Sequence, residues 1–321
     1  MRRVLYLVAL LGVVLVLRLL SPLSDAGLEP RPHPARTYEE ALGLIEALRA
    51  EDSPAISPEC RSELLTHGGR TRRAIVMLHG LTNCPAQFDS LGRLAFARGA
   101  NVLIPRLPRH GLADRMTGEL ARATSRELRE LADRALDAAH GLGDSVTVVG
   151  LSVGGTLAAW AAQERGDVDR AVLIAPMLGA ARARGAWTPV VARLFGALPN
   201  LFVWWNDSLK QDLPGPKHVY PRFATRTVAA DLVLGWMVRE RALRAAPACR
   251  SIAMITVGGD IAVDNGLNAE VVAAWRRHGA REVETYEFPG ALHLNHDIVD
   301  PEQVGGNPAI TYPVLTRLIG P

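Results

Sequence analysis

Lysine is almost missing from this chain of 321 residues: Lys210 and Lys217 stand alone, and arginine carries nearly all the positive charge. The arginines are scattered among acids, and the formal net charge is only +3. No basic stripe is left to track a phosphate backbone, so no nucleic-acid partner is expected. A Walker-type phosphate loop, a dinucleotide fingerprint and internal repeats are also missing, which removes the usual nucleotide-driven chemistries and repeat architectures. Cysteine is scarce, with Cys60, Cys84 and Cys249 only, and none has the spacing of a zinc site.

Long apolar runs are lacking too, with one exception at the amino terminus. Arg2 and Arg3 precede an apolar stretch from Val4 to Leu17, which Arg18 interrupts before Leu19-Leu20. A full helical span needs about 20 apolar residues and a secretory core about 7–15. The uninterrupted run fits a secretory signal. With Arg18 reaching back to the interface, the longer segment can also stay as a single anchor. Residues 1–20 are therefore expected to be a signal peptide or membrane anchor, the one contact with a membrane, and the rest of the chain is expected to be exported. Small residues at Ser24-Asp25-Ala26 would suit cleavage, and no lipobox-like cysteine follows. Residues 21–36 carry Pro22, Pro30, Pro32 and Pro34 and predict an extended tether. An oxidising compartment would allow one disulfide. Cys60 and Cys84 flank the first candidate catalytic strand and are the preferred pair, the alternative being three small buried apolar side chains.

The remainder, 37–321, predicts one domain. Tyr38 to Ala50 has the spacing of a short amphipathic helix. From Arg73 onward, apolar runs alternate with helical patterns, which points to an α/β class with a mostly parallel, doubly wound sheet. Strands are expected at 74–78, 101–105, 146–149, 171–176, 252–257 and 283–288, and helices at 85–98, 125–140, 268–278 and 310–319. About 70 residues break this rhythm, and the segment at about 177–250 is expected to form a helical cap over the ligand crevice. Its aromatics (Trp187, Phe195, Phe202, Trp204, Trp205 and Trp236) would either line an apolar pocket or form the cap's own core.

The chemistry concentrates in three places. Gly150-Leu151-Ser152-Val153-Gly154 stands between an apolar strand and a helix-like run, the setting of a nucleophile elbow. Such a turn needs glycines because the serine backbone is strained and the helix lies close to the strand. A G-x-S-x-G string recurs by chance, so its context matters more than the string. Past the strand ending at Val257 come Asp260 and Asp264. Asp260, nearer the strand end, is the better acid to orient a base; Asp264, a turn further on, is the alternative acid or else the cap of the following helix. Past the strand ending at Phe288 come His293 and His296. His296 is preferred as base because it immediately precedes the acidic stretch 297–300, expected to begin the final helical region. His293, His296 and Asp297 could alternatively ligate a metal, though no further clustered ligand accompanies them. The other histidines are expected on the surface or in loops, with His79 bonding its own loop. Backbone N–H groups of Val153 and Leu81 are the expected oxyanion donors.

The elbow at 150–154, the His79-Gly80 turn, the Asp260 loop and the late histidine together resemble the α/β-hydrolase superfamily. More narrowly, they resemble its capped bacterial carboxylesterase and monoacylglycerol-lipase-like branch. The segment Val102-Leu103-Ile104-Pro105-Arg106-Leu107-Pro108-Arg109-His110-Gly111 is similar to what those enzymes carry after their second core strand. The likeness spans about Arg73 to Leu318 and departs from the pattern in the two-histidine loop. It implies a triad of Ser152, Asp260 and His296, no cofactor, and a small acyl ester as substrate. A peptidase or acyltransferase would share these parts, and a binding protein could keep the same scaffold.

Overall fold

A computed structural model of the chain describes residues 23–179, 185–213 and 215–320, with Tyr6, Gly12, Val13, Val14 and Leu17. The expected signal or anchor at 1–20 otherwise lies outside the described residues. Among those described, no helix is long and apolar enough to cross a membrane.

The strands are β1 (Glu63–Leu65), β2 (Thr71–Leu78), β3 (Asn101–Ile104), β4 (Gly143–Leu151), β5 (Arg170–Ile174), β6 (Phe202–Trp204), β7 (Arg222–Ala224), β8 (Ser251–Val257) and β9 (Glu282–Phe288). Seven of them form one sheet in the order β1-β3-β2-β4-β5-β8-β9. All neighbours are parallel except β1, which lies antiparallel on β3. Ala74 to Leu78, all of β3 and Ala171 to Ile174 are buried throughout. Helices cover both faces of a parallel sheet, so its inner strands become unbroken apolar runs. β9 instead exposes Glu282, Glu284 and Glu287, as an edge strand should.

The helices are α1 (Tyr38–Arg49), α2 (Asp89–Ala97), α3 (Ser125–Leu142), α4 (Val153–Glu164), α5 (Thr188–Ala197), α6 (Thr225–Ala242), α7 (Asn265–Arg277) and α8 (Pro308–Ile319). Their starts are chemically marked. Thr124 and Glu127 make a reciprocal capping box before α3, while Thr37 and Asp264 cap α1 and α7 with their side chains. Such caps stabilise by about 1 kcal/mol each. α4 is buried from Val153 to Gln163, because it runs beneath the sheet's centre between α3 and α6. A 3-10 turn, Pro85–Phe88, opens the expected helix at 85–98, and the α-helix proper starts at Asp89.

β2 and β4 are neighbours while β3 follows β2 on its other side, so the chain reverses its direction of winding between β2 and β4. The crevice beyond the carboxyl ends of strands at such a reversal is where doubly wound sheets place ligands.

After β5 the chain leaves the sheet and builds α5, the antiparallel β6–β7 ribbon and a 3-10 turn over Asp207–Asp212. The insertion is thus not helical throughout. α6 packs on α5 and on α4 and returns the chain to β8. Of the insertion's aromatics, Phe195 and Phe202 pack on the core, while Trp187 and Trp205 are at least half exposed.

Residues 25–28 form a turn and 30–35 carry no regular structure, yet the segment is closely docked. The N–H groups of Arg31 and His33 donate to Asp133 and Asp137 on α3, at 2.9 and 3.0 Å. The Trp160 indole donates to the Leu28 carbonyl, and Leu28 is buried. Both aspartates also bind the buried Arg165 guanidinium, at 2.7 and 2.8 Å. The prolines stiffen the segment, and the carboxylates, already paired, satisfy its backbone. Cys60 and Cys84 form a disulfide, and Cys249 is a buried free thiol whose pKa burial pushes up to about 11.

Candidate active site

Ser152 stands between the end of β4 and the start of α4 with φ 57° and ψ −115°, a conformation that side-chain-bearing residues avoid. Its surroundings enforce it. The Ser152 N–H donates to Ile174 O at 3.0 Å, and its carbonyl accepts from Thr156 N at 2.8 Å and Met177 N at 3.3 Å. A Cβ on Gly150 would fall 1.9 Å from Gly154 O, and one on Gly154 would fall 1.9 Å from Leu78 O. The glycines flanking Ser152 therefore answer to steric need. They let α4 start within backbone contact of β2.

Next to the serine lies the loop after β2. A Cβ on Gly80 would sit 3.5 Å from the Ser152 Cβ, so the loop runs directly beside the elbow. His79 Nδ1–H donates to Gly80 O at 3.0 Å, and its Nε2 accepts the Leu107 N–H at 2.9 Å. Both ring nitrogens are thereby used by the neutral ring. Burial, with His110 packed edge-on, holds its pKa well below the ordinary histidine value. His79 is a brace between two loops. Leu81 follows and is buried. Among the described residues no hydrogen bond engages the N–H of Leu81 or of Val153, the first residue of α4, where helix N–H groups lack internal partners.

On the other side, Asp260 Oδ2 accepts from His296 Nδ1 at 2.6 Å. The Asp260 side chain is fully buried and that of His296 is 22% exposed. Burial alone would raise the Asp260 pKa. The hydrogen bond and charge of His296 outweigh it, aided by the N–H groups of Ala262 and Val263, and the carboxyl lies below its usual value. His296 Nε2 is buried and has no hydrogen-bond partner, Ser152 Oγ included. Asp264 does not share this site: it accepts from Leu267 N at 3.2 Å as the cap of α7. His293 is exposed, at a left-handed position with φ 49°.

The two sides are joined. Gly80 N–H donates to Gln87 Oε1 at 2.7 Å, and Gln87 Nε2 donates to Asp297 Oδ2 at 2.6 Å. The path from Ser152 through Gly80, Gln87 and Asp297 to His296 and Asp260 is thus contiguous along one edge of the sheet. The Asp297 carboxyl is tied up in this bridge, which leaves it turned to Gln87 and Asn83 rather than grouped with His293 and His296. Among the described residues no cluster of His, Cys, Asp or Glu is arranged to hold a metal ion.

The sequence matches a family described as the alpha/beta hydrolase family over residues 75–304. The chain belongs to that family. Solved structures agree in fold. A metagenome-derived lipolytic enzyme from work on LipS and LipT has TM-score 0.57 at 19% identity, covering 82% of this chain and 96% of that one. The monoacylglycerol lipase of Paleococcus ferrophilus has TM-score 0.58 at 14% identity, with 80% and 97% covered. A soluble variant of the monoglyceride lipase of Saccharomyces cerevisiae, bound to a substrate analogue, has TM-score 0.59 at 12% identity, with 81% and 89% covered. A search of curated proteins finds no match.

Several residues that shape this α/β-hydrolase's site escaped the sequence reading. His218 and His110 lie in loops, as expected, but both are buried rather than at the surface. His218, from the insertion, pairs through Nε2 with Asp300 at 2.8 Å, four residues past His296. Residues 297–306 form turns that these acids organise, not the start of the last helix, which begins at Pro308. Asp297 Oδ1 accepts from the N–H groups of Val299 and Asp300, both at 3.1 Å. The insertion also holds the loop after β2: Tyr220 N donates to Thr82 O at 2.8 Å, and the Trp205 indole donates to Thr82 Oγ1 at 2.9 Å. The acids just after His296 were the one local signal for this loop in the sequence.

Proposed function

We propose that the protein is a serine hydrolase that cleaves carboxylic esters through an acyl-enzyme on Ser152. The observation that carries this reading is the 2.6 Å bond between buried Asp260 and His296 Nδ1, with Nε2 left unpartnered. With its Nδ1 proton donated to Asp260, the ring keeps a lone pair on Nε2, the form a general base requires. Nε2 takes the Ser152 hydroxyl proton as Oγ attacks the ester carbonyl. The N–H groups of Val153 and Leu81 receive the oxyanion; each such donor typically contributes about 2.7–4 kcal/mol in the transition state. The imidazolium, steadied by Asp260, then protonates the leaving alcohol. Water activated by the same nitrogen releases the acid.

The free N–H groups at 81 and 153 and the strained elbow support this assignment of roles. The lipases and esterases of similar fold support an ester of an apolar acyl group as substrate. We further place the domain outside the cytoplasm, on the amino-terminal apolar run and on the Cys60–Cys84 disulfide, a bond that persists in oxidising compartments. The deciding experiment is hydrolysis of p-nitrophenyl acetate and butyrate by wild type and Ser152→Ala. Turnover should fall by about 10³–10⁶-fold with an unchanged thermal melt. Hydrolysis that survives in Ser152→Ala would overturn the proposal.

A further inference from the structure

We infer that Gln87 is a positioning residue for this reaction: its amide fixes the oxyanion loop and the histidine loop to one another through Asp297. The inference rests on the hydrolase reading above and adds a residue to it.

One side chain makes both bonds. Oε1 accepts the Gly80 N–H, and Gly80 immediately precedes the donor residue Leu81. Nε2 donates to Asp297, the residue after His296. Gln87 is itself buried in the turn Pro85–Phe88, whose entry is pinned by the Cys60–Cys84 disulfide. Asp297 has little freedom of its own. Oδ2 takes Gln87 and, at 3.3 Å, the Asn83 amide, while Oδ1 takes two backbone N–H groups. Burial raises its carboxyl pKa, with the charge of Asp300 adding to this, and Gln87 and the two backbone N–H groups offset only part of the rise.

Only a group that accepts at one end and donates at the other can bridge an N–H and a carboxylate. Glutamine does this with a rigid planar amide. Ester hydrolysis needs the oxyanion donors and the base in register at the same reacting carbonyl, and a misplacement of about 1 Å can cost about 10²-fold. Gln87 touches neither substrate nor reacting atoms, so its effect falls on turnover rather than on ground-state binding.

The test is steady-state kinetics on p-nitrophenyl butyrate for wild type, Gln87→Ala and Gln87→Glu. Gln87→Ala should lower kcat by about 10–100-fold with KM within about twofold. A folded Gln87→Ala with kcat within twofold of wild type overturns the inference. Gln87→Glu keeps the acceptor for Gly80 and donates to Asp297 only when protonated; ionised, it faces Asp297, with Asp300 beyond. Its kcat relative to wild type should therefore fall steadily from pH 6 to pH 8.5, at temperatures well below its melt at each pH. A ratio that stays flat across that range also overturns the inference, and this arm stands if Gln87→Ala does not fold. Wild type that neither hydrolyses the ester nor reacts with a fluorophosphonate would instead remove the hydrolase reading itself.

Discussion

Asp260→Asn changes one charge with almost no change of shape, and the surroundings decide how the amide must sit. Asp260 Oδ1 accepts the Ala262 N–H at 2.8 Å, so the amide oxygen has to stay on that side. The new NH₂ then takes the place of Oδ2 and points at His296 Nδ1, 2.6 Å from the present oxygen. A donor there forces Nδ1 to accept, which moves the ring proton to Nε2. The nitrogen facing the serine loses its lone pair. The equivalent exchange in a serine-protease triad costs about 10⁴-fold in kcat. At 1.36 kcal/mol per factor of ten, that is about 5.4 kcal/mol of barrier. The assay is kcat on p-nitrophenyl butyrate, with Asp264→Asn as control. Asp264 caps α7, so its replacement should lower stability by about 1 kcal/mol or less and leave kcat within about twofold. An Asp260→Asn protein that keeps more than a tenth of wild-type kcat would refute the tautomer argument, as would an Asp264→Asn protein that loses activity while folded.

Three further outcomes follow from buried groups. The disulfide closes a loop with a sequence separation of 24, worth about 3.5 kcal/mol on loop-closure arguments; Cys60→Ser/Cys84→Ser should melt about 5–6 °C lower, by calorimetry without reductant. His218 is opposed by burial, yet the bond and charge of Asp300, with Glu302 and Glu59 nearby, raise its pKa. A raised histidine stabilises fully below its unfolded pKa and loses that contribution as pH rises through the folded value. The melting advantage of wild type over His218→Gln should therefore be largest near pH 6 and shrink towards pH 9. Asp231 on α6 is wholly buried, with only Thr156 to oppose the desolvation that pushes its pKa well up. The native state then holds a proton the unfolded state releases above about pH 4, so stability falls as pH rises. Asp231→Asn should gain on wild type between pH 4 and pH 8 in parallel melts.

The sheet was legible because burial on both faces leaves unbroken apolar runs, as in β2, β5 and β8. The elbow was legible because its steric demands appear as glycines at fixed offsets from Ser152. Position past a strand end singled out Asp260 over Asp264 in the sequence, while His293 and His296 were separated there only by the acids that follow His296; the capping bond of Asp264 and the exposure of His293 are visible only in the structure. β1 was not visible, since Glu63-Leu64-Leu65 is too short to show a period, and neither was the β6–β7 ribbon for the same reason. The docking of residues 25–35 depends on carboxylates 102 and 104 residues away, and the Gln87–Asp297 and His218–Asp300 bonds span 210 and 82 residues. Hydrogen bonds between distant loops leave no local pattern in the residues that make them.

The central claim is that Ser152 is a nucleophile activated by His296. Treating the protein with a fluorophosphonate and mapping the adduct by peptide mass spectrometry tests it most directly. A single adduct on Ser152 is expected, formed at wild-type rate in His293→Ala and at least a hundredfold more slowly in His296→Ala. An adduct at another residue, or one on Ser152 that forms equally fast without His296, would contradict the account.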